Sequence, residues 1–250
     1  MKSNHRYGLP ALAALALACA APQASAANNG DWEWAVAPYL WGAGIKTDLK
    51  MDSPPVSGGS DNDFTDLIDE LDGVFQVHFE GQNDRWGFMG DFAFIGLAAE
   101  EDRQLFHSES DLDVRLSELA LVWSPGDGKF EGLEAFGGLR RVEVDFTSDF
   151  TPNNPALPVA RVDFGRDYND FMLGARYTVP IADRWTLTLR GDGSFGDTDG
   201  TWGASAMFGY HMERGSWVLG YRYLQGNFNN DNGDLDIALS GFQAGYAFSF

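Results

Sequence analysis

The chain is poor in the side chains that carry most enzyme and metal chemistry. It has one cysteine, Cys19, and four histidines in 250 residues. Lysine and arginine together number 17 against 37 aspartates and glutamates, a formal charge of −20. So large an excess of acid excludes a nucleic-acid partner, because a phosphate backbone would be repelled rather than neutralised. After the first 26 residues no apolar run approaches the roughly 20 residues that a membrane-crossing helix needs. Two possibilities remain: a soluble β domain, or a chain that crosses a membrane as strands.

Residues 1–26 have the form of a cleaved export signal. Lys2 and Arg6 supply a basic start, "LPALAALALACAA" an apolar core, and Ala24, Ser25 and Ala26 a small-residue cleavage site. The mature domain then spans residues 27–250. Cleavage removes two basic and no acidic residues, which moves the charge to −22, and it removes Cys19 as well. Lipid attachment at Cys19 is disfavoured, because Ala16 stands where a leucine three residues before the cysteine is expected. Export without a mature cysteine excludes disulfides and thiol chemistry.

What remains is rich in two-residue alternation. "RWGFMGDFAF" places Trp86, Phe88, Phe92 and Phe94 on one side, with Arg85 and Asp91 on the other. "WTLTLRGD" sets Trp185, Leu187 and Leu189 against Thr186, Thr188, Arg190 and Asp192. About ten such segments recur, at 32–45, 73–82, 85–98, 111–124, 129–146, 161–179, 184–196, 201–212, 216–228 and 235–250. Short connections ("QND", "SPGDG", "PIAD", "MERG") alternate with long polar ones such as "AAEEDRQLFHSES" and "TSDFTPNNPALPVA". The pattern predicts an all-β fold, a transmembrane antiparallel up-and-down barrel of about ten strands, eight or twelve being the neighbouring possibilities. Trp32, Trp34, Trp86, Trp123, Trp185 and Trp217 fall beside the short turns, as an interfacial aromatic girdle requires. Pro38 inside the first strand calls for a bulge or an irregular start. Leu116 and Leu119 within "DVRLSELALVW" call for a second bulge.

The last strand, "SGFQAGYAFSF", carries Phe242, Tyr246, Phe248 and Phe250 on one face. It resembles the C-terminal recognition strand of outer-membrane proteins, which implies insertion by the outer-membrane assembly machinery. The stretches "WEWAVAPYLWGAGI" and "DFTDLIDELDGVFQVHFEGQNDRWGFMGDFAFIGL" resemble an uncharacterised group of proteobacterial outer-membrane, porin-like barrels. That resemblance covers Trp32 to about Leu97, and it implies a monomeric barrel in outer-membrane lipid. It brings no catalytic residue and no cofactor.

Charges facing the lumen are expected at Arg115, Arg141, Glu143, Asp145, Arg161, Asp163, Arg176, Arg190, Asp192 and Arg222. Shielded from water, such residues pair with each other more readily than they line a wide pore, and about ten strands is too few for one. The expected role is that of a structural barrel or a narrow porin-like conduit for small solutes, without catalysis. The alternatives are a barrel enzyme acting on surface lipid or peptide and the soluble β domain. His107, Ser108 and Glu109 are the residues that could imitate a lipid hydrolase, and His211 and Glu213 share a strand face. The acidic stretches "GGSDNDF" and "FNNDNGD" lack the spaced calcium pattern, and no metal site is expected. One segment has a helical period: Phe64, Leu67, Ile68 and Leu71 recur at i, i+3, i+4 and i+7, with Asp63 as the cap and Gly73 beyond the end. It is expected to fold over the outer mouth as a fixed lid.

Overall fold

The computed structural model describes residues 32–250, except 53–54, 103–105, 127, 155–157 and 231–232. The export signal assigned to residues 1–26 lies outside the described residues. Eleven strands form one antiparallel sheet: β1 Glu33–Asp52, β2 Pro55–Asn62, β3 Leu71–Gln82, β4 Trp86–Asp102, β5 Phe106–Trp123, β6 Gly132–Pro152, β7 Ala160–Ala182, β8 Trp185–Gly196, β9 Thr201–Met212, β10 Gly215–Asn230 and β11 Gly233–Ser249. Each of β3 to β11 pairs with its sequence neighbour, and β11 returns to pair with β1, so ten strands close a barrel. The closure is completed by reciprocal hydrogen bonds between Trp34 and Phe250 (2.9 and 3.0 Å). The ring is closed everywhere except along part of the β1 and β3 seam, so almost no sheet edge is left open. β2 is additional, and pairs only with the far half of β1, from Ile45↔Asn62 to Asp52↔Pro55.

Polarity is inverted relative to a soluble barrel. Outward Trp86, Leu119, Leu139, Leu173, Trp217, Leu219 and Phe242 are all exposed, Phe242 by 72%. Inward Gln76, Gln82, Asp91, Glu118, Glu134, Arg140 and Asp170 are buried. A monomer in water rarely exposes a contiguous apolar patch beyond a few hundred Å². On β7 the apolar outward residues run from Phe171 through Leu173 and Tyr177 to Ile181. Ten residue steps span about 33 Å of strand, which a tilt of roughly 40° reduces to about 25 Å of height. Outward Asn169 and Asp167 then replace the apolar side chains. All six tryptophans expected in a girdle are exposed near the short-turn end, and Trp202 and Phe195 stand outward towards the loop end.

Three expectations about local structure change. The long polar connections are mostly strand: β6 and β7 continue their ladder to Phe150↔Ala160, and β4 and β5 to Asp102↔His107. Paired backbone satisfies its own donors and acceptors, so a polar sequence can extend a hairpin well past the apolar band. Leu116 and Leu119 need no bulge, because the register of β5 is continuous on both sides. Leu116 simply faces in and is buried, while Leu119 faces out and is 57% exposed. Pro38 is paired with Val77, and that is the last pair between β1 and β3. Beyond it the two strands diverge until β2 takes up the edge of β1 at Ile45.

The helical segment occupies that divergence. It is one α-turn, Phe64–Leu67, followed by a 3₁₀ turn, Ile68–Glu70. The Asp63 N–H donates to Asp66 (3.2 Å), which is the return arm of a capping box. Leu67 is buried, but Ile68 is 51% exposed and Leu71 already belongs to β3. The segment sits at the gap in the wall between β1 and β3.

Candidate functional site

The middle of the lumen is crossed by a belt of six alternating charges. Glu118 on β5 is its hub. Arg140 donates to it through Nε (2.9 Å) and Nη2 (2.7 Å), Arg190 through Nη2 (2.8 Å), and Arg222 through Nη2 (3.4 Å). Asp192 accepts from Arg190 Nε (2.9 Å) and also from Arg140. Asp91 accepts from Arg222 Nη1 (3.1 Å) and from the Tyr39 hydroxyl (2.7 Å). Three guanidinium groups thus meet three carboxylates, and the belt is neutral as a unit. Arginine suits this task because its planar fork serves two carboxylates at once. Two rings take the remaining faces: Arg190 lies 4.9 Å over Phe136, and Arg222 lies 4.8 Å over Trp41.

A second cluster stands nearer the short-turn end. Arg176 donates through Nε to Glu134 (2.5 Å) and through Nη2 to Glu80 (2.7 Å). His78 joins the two clusters, with Nε2 on Glu80 (2.6 Å) and Nδ1 on Asp91 (3.1 Å). On this side of the belt lies a cavity of about 870 Å³, walled by Thr186, Thr188, Ser205 and Gln243 among others. Lys129 and Phe130 partly cover it. Lys129 binds Glu33 (2.9 Å), and the Phe130 N–H donates to Gln82 Oε1 (2.6 Å). Phe130 has a φ of 57°, a left-handed conformation that a bulky residue adopts only under constraint. On the loop side of the belt part of the filling is apolar: Trp41, Ala43, Ala93, Leu116 and Leu224 pack together with Val142 and Leu239.

Of the ten charges expected in the lumen, Arg176, Arg190, Asp192 and Arg222 stand on the inner face and in these clusters. Arg115, Arg141, Glu143, Asp145, Arg161 and Asp163 stand on the outer face. They share strand parity with exposed Leu119, Leu139 and Phe171, and no register shift intervenes. They pair among themselves and with nearby acids: Arg115 with Asp145 (2.8 Å) and Asp113 (3.2 Å), Arg141 with Glu143 (2.8 Å), and Arg161 with Asp149 (3.5 Å). Asp163 is exposed. The reason is that past the apolar band the surroundings are aqueous, so apolar Val142 and Val144 turn inward and the charges turn out. His78, Glu80, Asp91, Glu118, Glu134 and Arg140 were missed as lumen groups. Parity counted from Leu119 or Leu139 would have found Glu118 and Arg140.

The hydrolase-like trio does not assemble. His107 bonds Asp102 (2.7 Å) and Glu109 (3.3 Å), while Ser108 faces the other way and is buried. His211 binds the hydroxyls of Ser216 (2.8 Å, Nδ1) and Thr186 (3.0 Å, Nε2), and Glu213 belongs to the following turn. Residues 58–62 of the first acidic stretch are part of β2, and residues 231–232 of the second lie outside the described residues. No group of three or more His, Cys, Asp or Glu side chains arranged to hold a metal ion occurs among the described residues.

No protein-family model matches the chain, and no curated protein matches it. Solved structures do. The outer membrane protease OmpT from Escherichia coli aligns with a TM-score of 0.51 and 7% identity, over 90% of this chain and 99% of that one. The chain has the fold of the outer-membrane β-barrels. The attachment invasion locus protein Ail of Yersinia pestis (TM-score 0.37, 13% identity, 87% and 98% covered) and the Pseudomonas putida toluene transporter TodX (0.35, 10%, 89% and 90%) are also found. At these identities the likeness concerns the fold alone.

Proposed function

We propose that this protein is a monomeric outer-membrane barrel whose lumen is closed to free diffusion, serving as a structural wall and passing at most small solutes. The observation that carries this reading is the neutral belt of Arg140, Arg190 and Arg222 with Asp91, Glu118 and Asp192, whose charges pair with one another across the lumen. The apolar cluster on its loop side fills part of the lumen above it. Outer-membrane lipid is the surroundings that the roughly 25 Å outward apolar band fits. In that setting the short-turn end faces the periplasm, and the 870 Å³ cavity is a periplasmic compartment. The outward aromatics of the last strand, Phe242, Tyr246, Phe248 and Phe250, are then both lipid contacts and the signal read by the assembly machinery. We read the barrel as non-enzymatic, because the polar groups within hydrogen-bond reach of His211 are hydroxyls rather than an orienting carboxylate.

Planar-bilayer recording tests the closure. Purified protein is expected to give no sustained conductance steps. Stable open-channel steps from the unmodified barrel would overturn it.

A further inference from the structure

Two buried donors at the divergence of β1 and β3 have no partner among the described residues. They are the Trp41 indole Nε1 and the Gln76 side-chain Nε2. Both side chains are almost fully inaccessible, at 2% and 3% exposure. They meet because the ladder between β1 and β3 ends at Pro38↔Val77. In place of a strand partner, the Trp41 backbone N–H donates to Gln76 Oε1 (2.5 Å). That bond fixes the Gln76 amide but leaves its own N–H groups unused. A buried donor without an acceptor is costly, so two at one seam require an explanation.

Beside Trp41 lies a cavity of about 40 Å³ whose lining is almost wholly apolar. Trp41, Val74, Ile95 and Leu239 form its barrel side, Leu40 reaches it from the outer face, and Phe64 and Leu67 of the short helix close it. A space of that size holds about three water-sized groups. Water in it would find few polar partners besides the Trp41 indole. The helix that covers it is a single α-turn with a 3₁₀ turn after it, too short to be stable except by its contacts.

We propose that the seam between β1 and β3 is a binding site for an uncharged amphiphile, a molecule with an apolar body and a carbonyl or hydroxyl oxygen. The oxygen accepts from Trp41 Nε1, and the apolar part fills the cavity under Phe64 and Leu67. A charged head is disfavoured, because the nearest cation, Arg222 over the Trp41 ring, is already paired with Asp91 and Glu118, and an unpaired charge is costly to bury. A body of more than a few carbons enters only as Phe64 and Leu67 give way, which the brief helix permits at small cost.

The tryptophans make the test selective. Of the eight in the chain, Trp41 is buried and the other seven are exposed by 38% or more. The protein in lipid nanodiscs, labelled for indole N–H resonances, is titrated with 1-octanol, with octane and with octanoate. Octanol is expected to shift the Trp41 resonance saturably, with octanoate weaker by at least tenfold and octane without effect on it. Nonspecific partitioning into the bilayer would move the seven exposed indoles and leave Trp41 in place, and that result overturns the proposal. So does an equal response to octane, since then the indole donor plays no part. Trp41→Phe should abolish the saturable response, and Leu67→Ala, which enlarges the cavity, should raise the preferred alcohol length by two or more carbons. Failure of either with the barrel still heat-modifiable on gels counts against the site, whereas the conductance reading is independent of all these outcomes.

Discussion

Replacing Glu118 by glutamine tests the belt at its hub. The change preserves shape and one acceptor oxygen, but it leaves three guanidinium groups facing only Asp91 and Asp192. Glu118 is 5% exposed and Arg140 is 1% exposed, so water screens little of the imbalance. Removing one partner from a buried network costs about 3–5 kcal/mol. For a chain of this size each kcal/mol moves the melting point by about 2–4 °C, so Glu118→Gln should lower it by roughly 6–20 °C. Circular dichroism melting in detergent, with heat-modifiability on gels as a second readout, measures this. Glu143→Gln is the control: it weakens the exposed Arg141 pair on the outer face, where an ion pair is worth at most about 1 kcal/mol. The double variant Glu118→Gln, Arg190→Met returns the belt to two cations and two anions and should recover part of the loss. A shift below about 2 °C for Glu118→Gln, or a double variant that is worse by the full sum of the singles, would refute the pairing argument.

Arg222→Ala should lower the melting point as well, because Asp91 then loses its cation and Trp41 the group over its ring; unchanged stability with a sharp rise in bilayer conductance would instead favour a charged permeation path. Deleting Phe250, or changing it to Asp, should reduce the amount of barrel recovered from the outer-membrane fraction, since Phe250 is both outward and hydrogen-bonded to Trp34; wild-type levels in that fraction would remove the assembly role. Limited proteolysis in detergent should spare the segment between Asp63 and Asp72, because Leu67 is docked against the wall; rapid cleavage there would show that the turn is not held.

The strands were legible where lipid would surround them and less so elsewhere. Within the apolar band the environment outside is greasier than the lumen, so the aromatic face of "RWGFMGDFAF" or "WTLTLRGD" reads directly as the outer one. Past Leu139 and Phe171 water lies on both sides, and the larger apolar side chains turn in. The adjacent pair Arg140 and Arg141 sits at that crossover. One points into the belt and the other to solvent, and only the register with β5 and β7 distinguishes them. Glu118 was hidden for a related reason: Leu116 faces in to meet Trp41 across the lumen, and such cross-barrel contacts leave no periodic trace. The wedge at Pro38 was readable as an irregularity, but not as a gap, because its width depends on where β2 and β3 pair.

The same wedge makes the wall mechanically uneven. β1 is held to β11 by fifteen paired positions and to β3 by six. A tangential pull on the cylinder, whether from bilayer thickness changes or from a probe tip, would meet least resistance along the β1 and β3 line. The tear would start at its loop-side end, where only Gln76 and the short helix bridge the two strands. Rupture should therefore leave β3 through β11, with β1 attached at its far edge, as one curved sheet.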